Sequence, residues 1–123
     1  MGRKGFRELV VWQKAKDIAV RIHQLSGGGA LGRDFGLCDQ IRRSAVSIAS
    51  NLAEGDERDT DKEAVRFFYI AKGSLAELRT QIQIACEAGH LKNALYESLE
   101  AECETLGKML GGLIRTRSRA HHL

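Results

Sequence analysis

The chain has no proline, few aromatic residues (four Phe, two Tyr and one Trp) and no long apolar run. Each shortage excludes something. Without proline, every backbone N–H remains available for helical hydrogen bonding, which leaves long helices uninterrupted. Apolar stretches of only a few residues rule out a membrane-spanning helix. The basic opening Met1-Gly2-Arg3-Lys4-Gly5-Phe6 is followed by no apolar segment, so no signal peptide is expected, and Phe6 stands where myristoylation would want Ser or Thr. Cys38, Cys86 and Cys103 form no Cys-x-x-Cys pair and leave an odd thiol. Reduced thiols that act as small apolar side chains, in a cytoplasmic protein, are the reading this favours. At 123 residues the chain makes one domain spanning 1–123.

What is present is helical periodicity. Four apolar stripes step by three and four: Val11, Ala15, Ile18, Ile22, Leu25; then Cys38, Ile41, Ala45, Ile48, Leu52; then Ala64, Phe68, Ala71, Leu75, Leu78, Ile82, Ala85; and last Leu95, Leu99, Cys103, Leu106, Leu110, Leu113. Such spacing gathers each set on one helix face. Ser26-Gly27-Gly28-Gly29 closes the first helix and Glu54-Gly55-Asp56 the second. Thr60 with Glu63 reads as a capping box opening the third helix, which Ala88-Gly89-His90 ends, and Asn93 suits a cap for the fourth. The pattern predicts helices at about 8–26, 35–54, 61–88 and 93–116, then a basic flexible tail at 117–123. Short loops favour antiparallel neighbours, so the expected fold is an all-α, up-down-up-down four-helix bundle.

The outward faces of the two middle helices are poor in charge. On the third, the side opposite the stripe presents Lys62, Arg66, Tyr69, Gly73, Ala76, Thr80 and Ile84; after the first turn this run is almost entirely small or apolar. On the second it presents Gln40, Arg43, Val46, Ser47, Ser50 and Asn51, and from Gly36 to Ala53 the only charges are Asp39, Arg42 and Arg43. Faces of this kind predict cover by another copy of the chain. The expected self-interface comprises Gln40, Arg43, Ser47, Asn51, Glu54, Tyr69, Gly73, Ala76 and Thr80. The polar set Gln40, Arg43, Ser44, Ser47, Asn51 and Glu54 reads as a hydrogen-bonded seam between subunits, with Arg43 and Glu54 pairing across it, or else as a ligand or nucleic-acid surface.

Little points to catalysis. Gly27-Gly28-Gly29-Ala30-Leu31-Gly32 lacks the Gly-Lys-Ser/Thr of a phosphate cradle and reads as a flexible loop. His23, His90, His121 and His122 show no metal-ligand spacing with the cysteines, and no base stands beside any thiol. Glu97, Glu100 and Glu104 have the spacing of a solvated helix face, and no Glu-x-x-His supplies a di-iron site. Trp12 reads as a core or interface anchor. No enzyme activity, metal or cofactor is expected.

Charge is the remaining lead. The net charge is +3. Arg3, Lys4, Arg7, Lys14, Lys16 and Arg21 load the first helix and its leader, while Lys108, Arg115, Arg117 and Arg119 end the chain with no acid among them. Antiparallel packing would bring Arg3, Lys4, Arg7 and Lys14 to the end of the bundle shared with Arg115, Arg117 and Arg119, a surface suited to phosphate backbones. The acidic stretch from Glu54 to Glu63 belongs to the same end and opposes that reading.

Several blocks carry a resemblance. Phe6-Arg7-Glu8-Leu9-Val10-Val11-Trp12-Gln13-Lys14-Ala15 resembles the opening of the four-helix-bundle family encoded within 23S ribosomal RNA intervening sequences. Phe35-Gly36-Leu37, Gln40 to Ile48, Asn51-Leu52-Ala53-Glu54-Gly55, Ile70 to Leu78 and Gly89-His90-Leu91 are similar to that family as well. The resemblance implies a bundle that assembles as a ring-shaped homopentamer. It also implies kinship with an accessory factor of diversity-generating retroelements that binds nucleic acid and a reverse transcriptase. Ala49 and Gly28-Gly29-Ala30 stand where the family commonly has proline, which predicts a more mobile first loop. The expected partners are thus the chain itself, RNA or DNA, and a protein such as a reverse transcriptase, with no membrane. The expected function is a non-enzymatic homo-oligomer that associates with nucleic acid through its basic surface, or a protein-interaction scaffold that ignores nucleic acid.

Overall fold

The computed structural model describes residues 5–122, which are helical almost throughout. A single 3-10 turn, Phe6–Glu8, leads into α1 (Val10–Leu25), followed by a short α2 (Gly29–Arg33), α3 (Phe35–Asp56), α4 (Asp61–Glu87) and α5 (Asn93–His122). The four long helices are those the stripes predict, with ends shifted by a few residues. The largest shift is at the C-terminus. The basic tail expected from residue 117 is instead the last part of α5, which continues through His122. No Gly or Pro follows Thr116 to stop the helix, and Arg117 is pinned to neighbouring carboxylates 2.5 and 3.4 Å away.

Local chemistry sets the other boundaries. Gly29, at φ +67, takes a backbone conformation that a side chain would strain, and it starts a turn of helix where a plain loop was expected; Leu31 buries itself from there. Asp34 caps α3, its carboxylate accepting from the Leu37 N–H at 3.2 Å. Thr60 caps α4 in the same manner through the Glu63 N–H. At the far end of α4, the His90 N–H reaches Ala85 O and the Gly89 N–H reaches Cys86 O. With Gly89 at φ +83, this is a Schellman closure. Asn93 is the first residue of α5, and its side chain accepts from the Cys86 thiol at 3.0 Å.

The stripes meet in one core. Ile18, Ile22, Ile41, Ile48, Leu52, Phe68, Leu78, Ile82, Leu99, Leu106 and Leu110 are fully buried, each adding about 1.5–3 kcal/mol of apolar burial. Cross-helix pairs show that consecutive long helices run antiparallel. Between α3 and α4, Ser44 pairs with Gln81 and Ser47 with Ser74. Between α4 and α5, Asp61 pairs with Arg117 and Arg79 with Glu100. Arg42 donates to Ser26 Oγ where α1 ends beside the start of α3. Lys14 and Arg21 share Glu102, which closes α1 against α5. Gly55 permits the closest approach: a Cβ there would lie 2.7 Å from Phe68 Cε1 and 2.9 Å from Phe67 Cβ.

Candidate functional site

The end of the bundle that holds the α3–α4 turn gathers Arg7, Arg115, Arg117 and Arg119 among the basic residues singled out in the sequence. Arg3 and Lys4 lie outside the described residues. Arg7 is exposed and stacks its guanidinium 4.7 Å over the Phe6 ring. Phe6 borders Ala53, Glu54, Glu57 and Arg58, so the start of α1 does meet the end of α3. Arg115 and Arg119, one turn apart on α5, are exposed and make no ion pair among the described residues. These three are free to meet an anion.

Arg117 and Lys14 are not. Arg117 Nε donates to Asp61 at 2.5 Å, its Nη1 lies 3.4 Å from Asp56, and its guanidinium stands 5.5 Å from the Phe68 ring. Half-buried and doubly paired, it serves the fold. Lys14 points along α1 toward α5, where it pairs with Glu102 at 3.2 Å alongside Arg21. The carboxylates at the α3–α4 turn therefore neutralise one of the expected contacts directly. Glu54, Glu57, Asp59 and Glu63 stand exposed beside the others.

The second candidate surface is the outer side of α3 and α4. Tyr69, Gly73, Ala76 and Thr80 are exposed, and so are Ile70 and Ile84 beside them, each about half accessible. The polar set of α3 divides. Ser44, Ser47 and Asn51 are satisfied within the chain: Ser44 donates to Gln81, Ser47 Oγ lies 2.8 Å from Ser74 Oγ, and Asn51 donates to Ser47 O and Oγ. These residues form a seam between α3 and α4 of one molecule, so the expected intersubunit seam is not needed to satisfy them. Arg43 pairs with Asp39 one turn earlier on its own helix rather than with Glu54. Gln40 and Glu54 remain exposed.

A third surface was not read from the sequence. Along the outer side of α1 and α3 runs an open apolar hollow of about 650 Å³, lined by Phe6, Trp12, Ala19, Val20, Val46, Ala49 and Ala53, with Lys16, His23 and Gln24 at its rim. Trp12 is half-buried and meets Phe6 edge-to-face at 5.1 Å, so it anchors one end. Further hollows continue it toward Glu54 and Glu57 at one end and Asp39, Arg42 and Arg43 at the other. The sequence signal was a second apolar strip, Trp12, Ala19 and Val20 on α1 with Val46, Ala49 and Ala53 on α3, offset from each core stripe.

The thiols sit apart from these surfaces. Cys103 is wholly buried, and burial followed by the nearby Glu100 carboxylate pushes its thiol up to about 12. Cys38 is buried, its thiol donating to Ser26 O. Cys86 is half-buried. Among the described residues, no group of three or more His, Cys, Asp and Glu side chains is placed to hold a metal, and no helix is long and apolar enough to cross a membrane.

The fold has a solved counterpart. A crystal structure of a protein with unknown function from the S23 ribosomal protein family of Bacteroides thetaiotaomicron superposes with a TM-score of 0.78 at 23% identity, over 85% of this chain and 98% of that one. No curated protein matches. The family model of the 23S rRNA-intervening sequence protein matches residues 7–112, nearly the whole of the four helices. This chain belongs to the 23S rRNA-intervening sequence protein family.

Proposed function

We propose that the protein is a non-enzymatic, self-assembling helical module, a ring-shaped homo-oligomer that presents its helix ends to a partner. The observation that supports this is the outer face of α4, where Tyr69, Ile70, Gly73, Ala76, Thr80 and Ile84 stand exposed along more than four turns. A solvated bundle helix carries charge on that side. A face of this length built mostly of small and apolar residues, with Arg66 and Glu77 along one edge, favours an interaction site. The test is the solution mass of the wild-type chain at micromolar concentration by sedimentation equilibrium. A mass several times that of the 13.6 kDa chain supports assembly, and a monomer overturns it.

A second reading, association with RNA or DNA, is favoured by Arg115 and Arg119. They are exposed, unpaired among the described residues and on the same face of α5, at the end where Arg7 also lies. In a ring each copy would repeat them, so weak phosphate contacts would add. A protein scaffold that ignores nucleic acid remains the alternative, and salt-dependent binding separates the two.

A further inference from the structure

Two surfaces of the chain complement each other. One is the apolar hollow between α1 and α3, which continues from Glu54 and Glu57 at one end to Arg43 at the other, about 21 Å from Glu57 to Arg43 along the helix. The other is the exposed face of α4, convex, with Gly73 and Ala76 at its centre, where the absence of large side chains lets a neighbour come close. Beyond the adjoining residues and backbone of α4 itself, nothing lies within 4 Å of where a Cβ on Gly73 would stand.

Charge gives the orientation. Arg43, which also pairs with Asp39 on its own helix, and Glu54 stand exposed on the crest of α3 beside the hollow, three helical turns apart. Arg66 and Glu77 stand exposed on α4 at the same separation and in the same order of sign. An α4 laid antiparallel to α3 of another copy sets Arg66 against Glu54 and Glu77 against Arg43 together; laid parallel, it sets like charges against each other. The wheel of α4 agrees. Arg66 and Glu77 lie toward the side that borders the chain's own α3, whereas Tyr69 and Ala76 lie toward α5. Turning this face into a neighbour's hollow brings the charged side to the neighbour's α3 and Tyr69 toward its α1, where Trp12 and Val20 form the wall. Because α4 already runs antiparallel to α3 within one chain, copies docked this way point in the same direction. The contact joins unlike surfaces, so an open series keeps one free hollow at one end and one free α4 at the other until it closes on itself.

We propose that the α1–α3 hollow is the receptor for α4 of a second copy, held in register by Arg66–Glu54 and Glu77–Arg43. The proposal rests on the self-assembly put forward above. Its test is charge exchange across the interface, read by sedimentation equilibrium. Arg43→Glu and Glu77→Arg should each weaken assembly by roughly tenfold, since a like-charge contact replaces an attractive one. The double variant R43E/E77R should restore it, and E54R with R66E should behave the same way. Trp12, the single tryptophan, gives a second readout: its emission should move to the blue on assembly and back in each single variant. All four residues are exposed, so helical content should not change. A monomeric wild type would overturn self-assembly and this docking together. An assembled wild type whose single reversals have no effect, or whose double variants fail to recover, would overturn the docking alone.

Discussion

Arg117 and Asp61 join the last helix to the first turn of α4, Nε lying 2.5 Å from Oδ1, and the same guanidinium reaches Asp56 at the end of α3. One side chain thus ties three helix ends. The Asp56 side chain is only 3% exposed, so losing the Arg117 guanidinium takes a cation away from a buried carboxylate. Arg117→Ala should therefore destabilise the fold by about 2–3 kcal/mol in urea denaturation, whereas Arg119→Ala, two residues on and exposed, should change it by less than about 0.5 kcal/mol.

Two glycines should respond in opposite ways. Gly55→Ala puts a Cβ 2.7 Å from the Phe68 ring and 3.0 Å from Ala64 O, so α3 and α4 must part, at a cost of about 2–3 kcal/mol. Gly73→Ala, in a helix interior, meets nothing within 4 Å beyond the adjoining residues and backbone of α4, so it should stabilise the isolated fold by about 0.5–1 kcal/mol. Gly73→Glu should leave helical content intact and dissociate the oligomer, because its carboxylate would be desolvated without a partner. Circular dichroism and sedimentation together check all three.

Cys103 should be inert. With the thiol pushed up to about 12, almost no thiolate exists near pH 8, so alkylation of the folded protein should spare it and modify half-buried Cys86 first. The folded state holds this proton more tightly than the unfolded chain does. The associated stability is therefore complete below about pH 9, the ordinary thiol value, and is lost as pH rises from there toward 12. Cys103→Ala should remove that alkaline loss, at a cost near neutrality of roughly 1–2 kcal/mol for the lost packing.

Nucleic-acid association is expected to depend on Arg115 and Arg119. Reversing both to Glu should abolish binding of labelled RNA and DNA in fluorescence anisotropy while the oligomer persists. Wild-type affinity should fall steeply with salt, because each neutralised phosphate releases about 0.7 to 0.9 of a counterion. Neutralising Glu57 and Asp59 should strengthen binding. No binding to either polymer at low salt would leave the protein scaffold as the function.

The sequence made the helices legible because burial dictates period, and the stripes from Val11 to Leu113 name the core almost residue by residue. Phe68, Leu78 and Leu106 were expected inside and are buried. The candidate site was less legible, because a charge's sign does not reveal its partner. Arg117 and Arg119 look alike in the sequence, yet only the first meets two carboxylates, and those come from positions about 56 and 61 residues away. Ser47 and Asn51 were likewise read as needing another subunit, when Ser74 on the adjacent helix and the Ser47 hydroxyl itself supply the partners. The hollow was missed because Trp12, Ala19 and Val20 lie beside the core stripe, and alanine-rich strips read as ordinary helix filling until the facing strip of α3 is placed.

The hollow between α1 and α3 also sets the order in which the molecule breathes. The pair α3 and α4 shares Gly55's close approach and the serine seam, while α1, seated in the core by Ile18 and Ile22, faces the open hollow along its outer edge and reaches α5 through Lys14 and Arg21 on Glu102. Local opening follows the sparsest packing. In the monomer, amide hydrogens of Val10–Leu25 should exchange with solvent well before those of α3 and α4. Filling the hollow should slow α1 most of all, so the exchange rate of a single helix would report whether that groove is occupied.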